Sequence, residues 1–97
     1  MDRATALQIL TAHKATLAER FGVVRLSLFG STARDCAQPD SDVDVLVSFQ
    51  GPATPYAFFG VQFYLEDLFG CAVDLVTERA LRPELKPYVE RDAIAIV

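Results

Sequence analysis

One stretch of the chain, from Leu26 to Ser48, limits the fold more than any other part of the sequence. An alternating apolar run ends there in Gly30-Ser31, and after ten further residues a second apolar run opens with Asp42-Val43-Asp44. Because side chains alternate along a strand, the two aspartates share one face, about 6.6 Å apart at their Cα atoms. At an effective dielectric of about 20, their charges repel by about 2–3 kcal/mol. A divalent cation between them would reverse the sign of this energy.

The composition describes a single small domain, which we expect to occupy residues 1–97. Apolar residues make up 52% of the chain and charged residues 23%, as in an ordinary globular protein. The net charge is −4 and the basic residues are dispersed, which argues against an extended nucleic-acid surface. No apolar segment reaches the roughly 18 residues of a membrane span. We therefore expect a cytoplasmic protein in which Cys36 and Cys71 are reduced thiols.

The apolar periodicity predicts alternating helices and strands, with Thr54-Pro55 and Gly70 marking the ends of one helix. In the first strand we expect Val24, Leu26 and Leu28 on one face, and we expect Ser31 to cap the short helix that follows. The predicted elements are helix 3–20, strand 24–29, a short helix from Ser31, a turn at 39–41, strand 42–49, helix 55–69, strand 71–76, helical pieces within 78–92 and a strand at 93–97. This order predicts an α/β (α+β) domain in which helices flank a small mixed sheet.

The helix predicted at 55–69 is apolar on all sides, with five Phe or Tyr residues among its first ten positions. Such a helix is either enclosed by its own domain or shared with another chain. Full enclosure is difficult in so small a domain, so both interpretations stay open.

Three features of the sequence point to phosphoryl transfer. The Gly30-Ser31 turn between a strand and a helix offers backbone amides and a hydroxyl to a phosphate. Asp42 and Asp44 supply the oxygen ligands that Mg²⁺ prefers. Asp74 interrupts an apolar strand, where an unpaired carboxylate is costly. If its strand lies beside the second one, the three aspartates could hold two metal ions.

An EF-hand is excluded, since Val45 and Gly51 occupy the positions that need Gly and Glu, and the chain lacks a P-loop motif.

Gly30-Ser31, ten intervening residues and Asp42-Val43-Asp44 together resemble the GSx10DxD signature of the polymerase-beta-like nucleotidyltransferases. The chain is most similar to the minimal nucleotidyltransferases, single small domains that act as antitoxin partners of HEPN-domain toxins. The resemblance covers nearly the whole chain, including the later lone aspartate, Asp74. It implies the polymerase-beta-like fold and a cytoplasmic, hetero-oligomeric toxin–antitoxin system similar to type VII.

The resemblance also implies roles for individual residues. Gly30, Ser31 and Thr32 would bind the phosphates of ATP. Arg34 matches the common GSxAR pattern, and it either contacts a phosphate or is a helix-surface arginine. Asp42, Asp44 and Asp74 would be catalytic and would hold two Mg²⁺ ions, with Asp74 helping to deprotonate the acceptor hydroxyl. AMP would pass to a tyrosine of the HEPN RNase toxin, pyrophosphate would leave, and the toxin would be neutralised. Asp35 departs from the pattern, since the family often has Gly there.

Two alternatives to this function remain from the sequence. The chain could be a non-catalytic binding module that neutralises its partner through the apolar helix at 55–69. It could also modify a small molecule such as an antibiotic, although it lacks an obvious second lobe for that acceptor.

Overall fold

The computed structural model describes residues 2–34 and 42–96. Its elements are α1 (Arg3–Phe21), β1 (Val23–Phe29), α2 (Gly30–Ala33), β2 (Val43–Phe49), α3 (Pro55–Phe69), β3 (Val73–Thr77), a short 3₁₀ helix (Glu78–Ala80), α4 (Lys86–Asp92) and β4 (Ile94–Ala95). The predicted order of helices and strands is confirmed, with element ends shifted by one to a few residues. The predicted turn at 39–41, together with Asp35 and Cys36, lies outside the described residues.

The four strands form one mixed sheet in the order β3-β2-β1-β4. β1 runs antiparallel to both β2 and β4, whereas β2 and β3 are parallel and are joined by the α3 crossover. The predicted small mixed sheet is confirmed, and so is the condition that the third strand lies beside the second. Helices α1 and α3 bury one face of this sheet in a core that includes Leu10, Leu17, Val45, Val61 and Leu65.

The first strand contains a β-bulge that changes which side chains face the core. The register with β2 shifts between Val23 and Arg25, so Val23 is buried whereas Val24 is 45% exposed. The prediction that Val24 lies on the same face of the strand as Leu26 and Leu28 is therefore wrong. A bulge adds one residue to a strand and reverses the alternation at that point. Leu26 and Leu28, beyond the bulge, share one face as predicted, and both are fully buried.

Helix α3 divides into a buried face and an exposed face. The Thr54 hydroxyl accepts a hydrogen bond from the amide of Ala57 at 3.1 Å, which confirms the predicted start of the helix. Val61, Leu65 and Phe69 enter the core. Three aromatic residues on the other side remain exposed: Tyr56 at 75%, Phe59 at 50% and Phe63 at 60%. The domain thus encloses only half of this apolar helix.

Among the described residues, no helix is long and apolar enough to cross a membrane.

Side chains of α3 also cover the backbone of β3, which is an edge strand of the sheet. A carboxylate oxygen of Glu66 accepts a hydrogen bond from the amide of Val73 at 3.2 Å, and the amide group of Gln62 donates to the Val73 carbonyl at 3.4 Å. An exposed strand edge is a template for unwanted pairing with other chains. The helix therefore occupies the hydrogen-bonding groups at the start of this edge.

We expect Glu66→Ala to destabilise the protein by about 1–2 kcal/mol, because a half-buried backbone amide loses its acceptor. Glu66→Gln is the matched control, since its side-chain carbonyl can still accept this hydrogen bond. Urea unfolding at pH 7 measures both variants. Equal stability of the two variants would contradict this role for Glu66.

Candidate active site

The parallel pairing of β2 and β3 places two aspartates side by side. Asp44 is directly opposite Asp74 in the strand register. Both lie on the sheet face opposite the core, because their neighbours Val43, Val45 and Val73 are buried beneath α1 and α3. Asp42 immediately precedes β2 and is exposed. The structure thus brings together two of the three predicted catalytic carboxylates and leaves the third at the entrance of the same strand.

Asp44 is the half-buried member of this group. Burial raises its pKa to about 6, and the negative charge of Asp74, a hydrogen bond between the two carboxyl groups and the charge of Asp42 act in the same direction. The positive charge of Arg34 opposes them. Asp74 itself is exposed, so the prediction of a costly burial at Asp74 is wrong: the penalty falls on Asp44 instead. A site that resists a second negative charge is one that a cation would stabilise.

This pKa predicts a stability gain for Asp44→Asn in the absence of metal. The carboxyl of Asp44 ionises near pH 4 in the unfolded chain but near pH 6 in the folded one, so ionisation favours unfolding as the pH rises through this interval. Above pH 7 the variant should be more stable by about 1–2 kcal/mol, allowing for partial solvent screening, and near pH 4 the difference should vanish. Thermal unfolding in EDTA across this pH range measures it. A variant less stable than the wild type at pH 7.5 would contradict the prediction.

Gly30 lets the backbone of α2 approach the carboxylate of Asp44. Its φ of 72° lies in the left-handed region, and a Cβ atom there would overlap the Asp44 carboxylate and lie 3.1 Å from the Asp44 Cβ. Only glycine satisfies both conditions. The amides at the start of α2 therefore lie beside the aspartate pair, as the predicted phosphate-binding turn requires.

The remaining predicted nucleotide-binding residues differ in their surroundings. α2 begins at Gly30, with the extended Phe29 before it, so Ser31 lies inside the helical turn and the prediction that Ser31 caps it is wrong. Ser31 is half-buried, whereas Thr32 is only 1% exposed, and its hydroxyl has no hydrogen-bond partner among the described residues. The Thr32 side chain is thus not accessible to a nucleotide, although its backbone amide belongs to the same turn.

Arg34 ends α2 and extends toward the C-terminal part of the chain. Its side chain is 51% exposed, and its guanidinium donates a hydrogen bond of 2.8 Å to the carboxylate of Asp92 at the end of α4. Sequence reasoning missed Asp92, because a single aspartate in a segment broken by Pro83 and Pro87 forms no motif. Only the tertiary structure brings it to the site.

The aspartate pair fits a magnesium ion, although it does not form a complete protein cage. Across residues 2–34 and 42–96, no group of three or more His, Cys, Asp or Glu side chains is arranged to hold a metal ion. The predicted three-carboxylate cluster is therefore not assembled. Mg²⁺ is usually bound by one or two carboxylates together with substrate phosphates. Asp44 and Asp74 offer two such carboxylates, and the pKa of Asp44 is raised first by burial and then by the negative charges of Asp74 and Asp42, which a cation would offset.

Known proteins resemble this chain both in sequence and in fold. The nucleotidyltransferase domain family matches residues 10–96. The protein adenylyltransferase MntA of Thermococcus cleftensis is 43% identical over 88 residues, which span 91% of this chain and 89% of the relative. A solved structure of a minimal nucleotidyltransferase superposes with a TM-score of 0.81 at 41% identity, covering 97% of this chain and 95% of the other. The chain therefore belongs to the nucleotidyltransferase domain family.

Two more distant structures share the fold. One is a toxin–antitoxin complex with AMP-PNP, at a TM-score of 0.74 and 20% identity over 90% of this chain and 72% of the other. The other is a tri-AMPylated HEPN toxin of Shewanella oneidensis in complex with an MNT antitoxin. It superposes with a TM-score of 0.67 at 19% identity and covers 94% of this chain and 71% of the other. At these identities the similarity establishes the fold alone, and the predicted α/β fold of a minimal nucleotidyltransferase is confirmed.

Proposed function

We propose that this protein is a protein adenylyltransferase that uses ATP and Mg²⁺ to transfer AMP to a tyrosine of a HEPN-domain toxin and so neutralises it. The observation that carries the proposal is the pairing of Asp44 with Asp74 beside the Gly30 turn. Two carboxylates thus lie beside the start of α2, whose backbone amides bind the phosphates in this proposal. The similarity to a named protein adenylyltransferase over nine-tenths of the chain supports the same conclusion.

In the proposed reaction, the acceptor hydroxyl oxygen attacks the α-phosphorus of ATP. The new bond forms between that oxygen and phosphorus, the bond from phosphorus to the bridging oxygen of the β-phosphate breaks, and pyrophosphate leaves. Asp74, the more exposed carboxylate, accepts or relays the proton of the acceptor hydroxyl. The α2 amides and Arg34 bind and orient the triphosphate.

Asp44 and Asp74 would hold the magnesium in this proposal together with phosphate oxygens of the nucleotide, while Asp42 adds negative charge from the start of β2. When bound, the metal neutralises charge on the attacking and leaving oxygens of the transferred phosphoryl group. The protein contributes the position of the carboxylates. Asp44 is fixed by β2 and by its contact with Asp74, so the pair is set in place before nucleotide binds.

The proposal is tested by incubating the protein with ATP labelled in the α-phosphate, Mg²⁺ and the HEPN protein encoded by a neighbouring gene. Label should appear on the HEPN protein, and changing its modified tyrosine to phenylalanine should abolish the signal. Label on serine or threonine would overturn the choice of acceptor alone. A complete absence of label with the wild-type protein would overturn the function.

A second candidate function is favoured by the exposed aromatic face of α3. Tyr56, Phe59 and Phe63 leave an apolar surface that a HEPN partner could cover, and neutralisation would then need only complex formation. Suppression of toxicity by Asp44→Asn in cells separates the two functions. Under adenylyl transfer the variant should fail to protect, whereas a binding module should protect as well as the wild type.

A further inference from the structure

Asp92 lies far from the sequence motif of the site yet contacts one of its residues. Arg34 and Asp92 are 58 positions apart, and their side chains meet at 2.8 Å. The Asp92 side chain is 18% exposed, whereas that of Arg34 is 51% exposed. The aspartate is therefore the fixed member of the pair, and the longer, more exposed arginine is the member whose position the contact restricts.

The place of Asp92 in α4 indicates that the carboxylate does not serve the helix itself. It is the last residue of α4, where the helix dipole disfavours a negative charge. Its partners are Arg34 and, more weakly, Arg91, whose Nε atom lies 3.9 Å from the second carboxylate oxygen. The short contact thus links α4 to the end of α2.

Arg34 is in turn connected to the aspartate pair. Its amide donates to the carbonyl of Gly30 at 3.1 Å, and Gly30 lies directly against Asp44. The guanidinium is close enough to Asp44 for its positive charge to favour the ionised carboxylate. A shift of the Arg34 side chain would therefore change the electrostatics where the phosphates bind.

We propose that Asp92 is a positioning residue that holds the guanidinium of Arg34 in place for the triphosphate of ATP. This inference rests on the proposed function, since it assumes that the site binds ATP. A long arginine side chain loses rotamer freedom when it binds a phosphate, and a pre-existing contact removes part of that loss. A planar guanidinium can also donate to a carboxylate and to a phosphate oxygen in different directions. Asp92 therefore strengthens ATP binding without touching ATP.

The test measures ATP affinity directly, by isothermal titration calorimetry of the full chain with ATP and Mg²⁺, so it needs no acceptor protein. Asp92→Asn should weaken ATP binding about three- to tenfold, and Asp92→Glu should restore most of the affinity. Glu84→Gln is the control, because it removes an exposed carboxylate from the turn before α4. Thermal unfolding of each variant establishes that it is folded, and Asp92→Ser, with the same expected loss of affinity, serves as the test if Asp92→Asn is not.

A double-mutant cycle separates a positioning role from a purely structural one. In an Arg34→Gln background, Asp92→Asn should cause no further loss of ATP affinity, because its effect passes through Arg34. An equal loss in both backgrounds, or unchanged affinity in Asp92→Asn alone, would overturn the inference and leave the proposed function standing. If the wild-type protein does not bind ATP, the proposed function fails and this inference fails with it.

Discussion

Asp44→Asn is expected to lower the rate of AMP transfer by about 10³-fold, equivalent to about 4 kcal/mol of transition-state stabilisation. Asp44 is the half-buried carboxylate of the pair, fixed opposite Asp74 by the strand register. Asparagine preserves its size but removes the charge that a metal ion requires. Initial rates with labelled ATP and the HEPN partner measure the effect, and the same variant should remain folded because the substitution relieves repulsion between carboxylates.

Asp67→Asn provides the matched control for this substitution. Asp67 is an exposed aspartate of α3 that is not part of the aspartate pair, so the change in net charge is identical. Its transfer rate should stay within about twofold of the wild type. A comparable loss in both variants would mean that net charge, rather than the paired carboxylates, governs the reaction.

Gly30→Ala should reduce AMP transfer by about 10²-fold and stability by about 1–2 kcal/mol. An L-residue is strained at the Gly30 φ of 72°, and the added methyl group would displace the carboxylate of Asp44. A displacement of this kind would separate the amides proposed to bind the phosphates from the carboxylates proposed to act on the same substrate. Transfer rates and urea unfolding measure the two effects on the same variant.

Gly70→Ala separates the cost of backbone strain from the effect of displacing the Asp44 carboxylate. Gly70 ends α3 with a φ of 70°, almost the same as that of Gly30, but a Cβ there would have nothing within 4 Å. Its stability should fall by a similar amount, about 1 kcal/mol, while transfer remains close to that of the wild type. If Gly30→Ala were as active as Gly70→Ala, the close approach of α2 to Asp44 would have no catalytic importance.

Most of the fold could be predicted because its signals are local. The periodicity of α3, its Thr54 cap and the alternation of β2 each depend on neighbouring residues. The bulge that exposes Val24 could not be predicted in this way, since it depends on the register between β1 and β2. The sequence also could not predict which face of α3 is exposed, because a helix that is apolar on all sides does not indicate which face the domain buries.

Some features of the candidate site could likewise be predicted from neighbouring residues, whereas others depend on tertiary packing. Gly30 and Asp44 stand out in sequence because each opposes the preference of its surroundings. The burial of Thr32 and the exposure of Asp74 depend on packing, and the contact between Arg34 and Asp92 depends on where α4 lies. A motif thus indicated the residues of the candidate site, whereas their accessibility and their supporting contacts required the structure.

The most direct test of the proposed function is the intact mass of the HEPN partner after co-production with this protein in cells. With the wild-type protein, the partner should gain the mass of one or more AMP groups, and fragmentation should place them on tyrosine. With Asp44→Asn the partner should keep its unmodified mass. An unmodified partner that the wild-type protein nevertheless neutralises would contradict adenylyl transfer and favour neutralisation by binding alone.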